Sequence, residues 1–147
     1  MNCDFCDIPS AIKHVWSEHE LLNYHIPATE GADNAFFNEG FAITEAPLPY
    51  VVFKPGPPLG ETSLGPGAIL DLRPYQLKIY GASRQLLTEL SVAARTQYFN
   101  AGCLDTCEGS VCKIKIDAGN QVLFGDGTRM ILHQMNLMVV SKYELSD

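Results

Sequence analysis

Between residues 9 and 23, Ile12, Val15, Trp16 and His19 recur at helical spacing, after Pro9 and Ser10, which suit a helix start. The spacing predicts one short helix with a single stripe turned to a core. Residues 24 to 40 hold Pro27, Gly31, Asn34, Asn38 and Gly40 and follow neither the helical nor the strand period, which reads as an irregular connection. From Pro47 to Gly67 prolines and glycines are so dense that regular helix is excluded, because each proline fixes φ and removes a backbone donor. One short strand, Tyr50-Val51-Val52-Phe53, is embedded there.

The second half alternates more regularly. Ile69 to Leu72 reads as a strand, and Tyr75, Leu77 and Ile79 alternate with Gln76, Lys78 and Tyr80 as a second. Leu86, Leu87, Leu90, Ala93 and Ala94 predict a helix over 83–99, with Ser83 as its cap. Cys112, Ile114 and Ile116 alternate with Lys113, Lys115 and Asp117, after which Ala118-Gly119-Asn120 reads as a turn into Gln121–Phe124. Gly125-Asp126-Gly127 reads as another turn, into a closing strand or pair of strands from Met130 to Lys142. The expected fold is therefore α+β and β-rich: an antiparallel meander in the C-terminal half, one or two helices and a long extended Pro/Gly-rich segment. One domain, 1–147, is expected, divided into an acidic helical region (1–40), an extended arm (41–72) and a strand-helix-meander body (73–147).

Composition agrees with a folded domain, since 147 residues with 46% hydrophobic content are enough to bury a core without crosslinks. The net charge of -7 is unevenly placed: residues 1 to 50 hold eight carboxylates (Asp4, Asp7, Glu18, Glu20, Glu30, Asp33, Glu39 and Glu45) against Lys13 alone. Lysines and arginines are scattered, and only Lys113 and Lys115 share a strand face, so no nucleic-acid partner is expected. No apolar run approaches the roughly 18 residues of a membrane span, so no membrane partner is expected either. The opening Met1-Asn2-Cys3-Asp4-Phe5-Cys6-Asp7 is acidic and polar, unlike a secretory signal, and cytoplasmic synthesis is the expectation.

Two cysteine clusters stand out against this background. Cys3 and Cys6 are separated by two residues, Cys103 and Cys107 by three, and Cys112 makes the count odd. An odd count argues against a disulfide framework and for reduced thiols or a metal. Pairs at this spacing let two thiolates reach one tetrahedral ion, so Cys3, Cys6, Cys103 and Cys107 are the candidate ligands of a structural zinc that clamps the N-terminus to the body. His14 and His19 with Cys3 and Cys6 form an alternative local set. Four protein ligands would leave no open position for chemistry.

Catalytic signatures are weak. His19-Glu20 opens like a zinc-protease helix, but His25 lies six residues beyond His19, and at about 100° per residue the two rings diverge. Cys3-Asp4-Phe5-Cys6-Asp7-Ile8 resembles the C-x-F-C-x-I opening common in histidine-triad nucleotide hydrolases, a family that also carries alternating histidines on a late strand. Here that strand reads His133-Gln134-Met135-Asn136-Leu137, so Met135 and Leu137 stand where the second and third histidines would be, and the nucleophile is not assembled. There is no phosphate loop, nucleophile elbow or dinucleotide fingerprint. His133, Asp126 and Arg129 are the clustered candidates for an unrecognised enzyme site.

A non-enzymatic structural or assembly protein is the leading expectation, in the sharpest form a component of a symmetric particle such as a virion cement, neck or tail protein. Protein partners and a homo-oligomer or larger assembly follow from that. An extended arm buries little of itself, so Tyr50, Val51, Val52 and Phe53, with Leu59 and Leu64, are the candidate intersubunit contacts. The second expectation is a small zinc-stabilised module whose acidic third meets a basic protein.

Overall fold

Two strands of 14 residues each, β4 (Ala68–Gly81) and β8 (Ile131–Glu144), pair antiparallel over their whole length at the centre of the sheet. This is a computed structural model, and it describes residues 3–28, 36–38, 48–56, 60–65, 67–123 and 130–144. The remaining elements are, in chain order, α1 (Ile8–Ser17), α2 (Glu20–His25), β1 (Phe36–Asn38), β2 (Tyr50–Pro55), β3 (Gly60–Gly65), α3 (Arg84–Phe99), β5 (Leu104–Thr106), β6 (Gly109–Ile116) and β7 (Asn120–Leu123). The strands form one sheet in the order β1-β2-β4-β8-β6-β5, with β3 also on β4 and β7 also on β8. Among the described strand pairs, β1 on β2 is the parallel one. The fold is thus α+β, β-rich and dominated by antiparallel pairing, as the alternation predicts.

Both outer edges of the central pair are broken at mid-length. β2 and then β3 lie in line along β4, opposite 75–80 and 68–72, while β6 and then β7 lie in line along β8, opposite 137–142 and 131–134. The turn expected at Ala118-Gly119-Asn120 therefore does not reverse the chain; β6 and β7 run the same way and the segment between them is a break in one edge. Gly119 makes that break possible: its φ is +70°, and a Cβ there would collide with the carbonyl oxygen of Gln134. Gly125-Asp126-Gly127 lies outside the described residues.

The other break explains how a proline sits in the middle of β4, where two separate strands were expected. Gly56 N–H donates to the Pro74 carbonyl at 2.9 Å, so the backbone polar groups of Pro74 face the β2–β3 edge. That edge is interrupted just there, between Pro55 opposite Tyr75 and Gly60 opposite Leu72. The missing proline N–H consequently removes no ladder bond.

Side-chain alternation divides the sheet into two faces. Tyr75, Leu77 and Ile79 of β4, Ile131, Met135, Leu137 and Val139 of β8, Val51 and Phe53 of β2, and Val111 and Ile114 of β6 form one core with the helices. Phe53 stacks on Tyr75 with ring centroids 4.9 Å apart. α3 contributes Leu87, Leu90, Ala94 and Tyr98 at helical spacing, and the Ser83 hydroxyl caps it by accepting from Leu86 N–H at 3.2 Å. The stripe expected over residues 9–23 is delivered by two helices instead of one. α1, capped by Asp7, ends at Ser17, and His19 adopts extended backbone and caps α2. Three bonds tie this layer together: Trp16 Nε1–H to Ile26 O at 2.8 Å, Tyr98 O–H to Ile12 O at 2.8 Å, and Gln97 Nε2–H to Val15 O at 2.9 Å. Full burial of each large apolar side chain here contributes about 1.5–3 kcal/mol relative to exposure.

Candidate interaction surface and N-terminal clip

The chain start is held against the β5–β6 hairpin. Phe5 N–H donates to Asp105 O at 3.1 Å and Cys107 N–H donates to Phe5 O at 2.9 Å, which adds Phe5 as a short parallel bridge to Thr106. Cys3 and Cys107 are joined as a disulfide with Cα atoms 5.4 Å apart. Glu108 reinforces the clip, since its Oε2 accepts from Ile8 N–H and from Arg73 Nη1, both at 3.2 Å. Arg73 Nε in turn donates to the buried Asp71 carboxylate at 2.7 Å.

The clamp expected between the two cysteine clusters is therefore covalent, and the expected four-thiolate zinc site is corrected. Two of its four sulfurs, those of Cys3 and Cys107, are bonded to each other, while Cys6 and Cys103 are exposed free thiols. The local alternative fails as well: His14 pairs with Glu18 and lies against the Phe5 ring, and His19 spends Nδ1 on the α2 cap. Among the described residues no group of three or more His, Cys, Asp or Glu side chains is placed to hold a metal.

The arm residues are also placed differently from expectation. Tyr50, Val51, Val52 and Phe53 form β2, between β1 and β4, and each is 8% exposed or less. Their apolar surface is buried inside this chain, Tyr50 by stacking on Tyr80 at 5.0 Å. Burial holds both phenols above their ordinary pKa, with the Tyr80 charge adding to the effect at Tyr50. Leu59 lies outside the described residues, as does the side chain of Leu64.

His133 is a core residue. It is 6% exposed, its Nε2 meets Ala118 O at 3.1 Å and its buried Nδ1 has no hydrogen-bond partner. Burial lowers its pKa, partly offset by the bond to Ala118 and by the Asp117 charge. Asp126 and Arg129 lie outside the described residues.

What the sequence reading missed is the sheet face opposite the helices. By register, Lys54, Gln76 and Asn136 form one row across β2, β4 and β8, and Pro74, Met138 and Lys115 form the next across β4, β8 and β6. These two rows line a groove of about 560 Å³ that crosses the sheet at the level of the edge breaks. Its walls are largely apolar, and a lysine stands at each end. Asp117 closes the β6 end, its carboxylate accepting from Asn136 N–H at 3.0 Å and from Asn136 Nδ2–H at 2.9 Å. The same face carries Lys78, Lys113 and Lys142. The alternation of Lys113 and Lys115 was visible in the sequence; their alignment with Lys78 and Lys142 needed the strand register.

No protein-family model matches the chain, and no curated protein matches its sequence. Among solved structures, a chain from the virion of a native gene transfer agent particle superposes with a TM-score of 0.60 at 13% identity. The match covers 90% of this chain and 91% of that one. At that identity the likeness establishes a shared fold.

Proposed function

We propose that this chain is a structural component of a virion-like particle, acting by assembly with other protein subunits in a symmetric array rather than by catalysis. The observation that carries this reading is the two-way coverage of the match: nearly the whole of each chain is used, so the resemblance is between complete folds and not between a shared fragment. The surface is consistent with assembly, because Tyr24, Val92 and Phe99 project from the helices at 79%, 55% and 75% exposure. Leu59 and Leu64 are part of the same proposal as neighbour contacts. Of the particle roles, a neck, tail or cement position suits a single small domain of this kind.

The test is to tag the chain in its source cells and separate lysates on density gradients. The reading expects the chain to co-migrate with DNA-containing particles and to stay with them through nuclease and salt washes. A chain that remains at the top of the gradient while particles band below it overturns the reading.

A further inference from the structure

We infer that copies of this chain join head to tail, the lysine-bearing sheet face opposite α1, α2 and α3 of one copy receiving the acidic α1–α2 corner of the next. The inference rests on the particle reading and names the contact by which subunits would meet.

Charge segregation is the first support. The sheet face opposite α1, α2 and α3 holds Lys78, Lys113, Lys115 and Lys142, four of the ten basic residues of the chain. Among the described residues, Asp117 stands at the end of the groove and is engaged by Asn136. On the helix side, Asp4, Glu18 and Glu20 are exposed around the clip and the α1–α2 junction, with Lys13 as the one cation in that stretch. A protein of net charge -7 thus presents a cationic face on one side and an anionic corner on the other. Opposed potentials of this kind steer association and fix its orientation.

Edge protection is the competing explanation for lysines on a sheet, since they discourage strand addition. It accounts for Lys113 and Lys115 on β6. It does not account for Lys78, which lies between Val52 of β2 and Gln134 of β8, or for Lys142, between Leu70 of β4 and Ser110 of β6. Those strands already have neighbours on both sides.

Shape supplies the second support. Tyr24 is 79% exposed on α2, one helical turn from the exposed Glu20. An aromatic ring beside a carboxylate matches an apolar groove of about 560 Å³ with lysines at its ends. Buried aromatic anchors in such pockets dominate interface energies. Because the two surfaces differ, the contact is heterologous, and repetition closes a ring or extends a filament.

The experiment is a charge swap read by sedimentation velocity. One variant carries Lys113→Glu with Lys115→Glu, and the other carries Glu18→Lys with Glu20→Lys. Wild-type chain is expected to self-associate in about 50 mM salt and to weaken about tenfold or more in roughly 500 mM salt. Each variant alone is expected to associate at least about tenfold more weakly, because like charges then face each other, and an equimolar mixture regains association because both junctions become complementary again. Tyr24→Ala, an exposed position, is expected to weaken association about tenfold without altering the melting curve. A wild type that stays monomeric, variants that associate like wild type, or folded variants whose mixture stays monomeric would each overturn the inference. Failure of the particle reading is seen separately: a chain that obeys the charge swap yet never co-migrates with particles refutes that reading and leaves the contact standing.

Discussion

Replacing Cys107 by alanine removes the crosslink that ties the chain start to the β5–β6 hairpin across 104 residues of sequence. Closing a loop of about a hundred residues lowers the entropy of the unfolded chain by an amount worth about 4.7 kcal/mol at 25 °C. The two backbone bonds between Phe5 and the hairpin, and the Glu108 bond to Ile8 N–H, survive the substitution, so the native clip is kept and the change falls on the unfolded state. Real crosslinks usually deliver about 2–4 kcal/mol, and for a domain of this size each kcal/mol moves the midpoint by about 2–4 °C. Cys107→Ala is therefore expected to lower the midpoint by about 4–16 °C in thermal unfolding followed by circular dichroism without reductant. Reductant should bring wild type to the same midpoint and leave Cys107→Ala unmoved, and Cys6→Ala should melt like wild type because Cys6 is an exposed free thiol. A Cys107→Ala midpoint within about 2 °C of wild type, or an equal response of both proteins to reductant, refutes the reasoning.

Three further outcomes are expected. Tyr98→Phe removes a fully buried O–H that donates to Ile12 O, and should cost about 0.5–1.5 kcal/mol in urea unfolding, since the Ile12 carbonyl inside α1 keeps its helical bond. Gly119→Ala forces a side chain into left-handed backbone and onto the Gln134 carbonyl, and should cost at least about 1 kcal/mol in the same assay; a neutral result would mean the β6–β7 break relaxes freely. Because burial holds the His133 pKa below its ordinary 6.5, the native state favours the neutral ring, so its contribution to stability is whole above 6.5 and shrinks as pH falls through that value. The urea midpoint should accordingly drop between about pH 7.5 and pH 5.5, and His133→Gln should flatten that drop; an equal drop in the variant places the titration elsewhere.

Much of the architecture was legible because alternation reports burial directly. Tyr75, Leu77 and Ile79 fill the core, and Leu87, Leu90 and Ala94 of α3 face it, as their spacing implies. Local period does not report which strands are neighbours. Ala118-Gly119-Asn120 has the composition of a reversing turn, and only pairing with β8 turns it into a break along one edge. Tyr50 to Phe53 read as an arm because prolines surround them, whereas long-range pairing with β4 buries them. Cysteine spacing fitted two thiolate pairs, but Cys107 N–H bonds to Phe5 O and brings Cys107 to Cys3, leaving Cys6 and Cys103 outside the bond. The lysine face escaped notice for the same reason, since Lys78, Lys115 and Lys142 come to share one face only through the register of strands distant in sequence.

The most direct measurement is cryo-electron microscopy of particles purified from cells that make this chain, compared with particles from cells deleted for it. The account expects symmetry-related density, present only in the first sample, that accepts the long β4–β8 pair with its helices on one face. Particles identical in composition and density with and without the chain would contradict it.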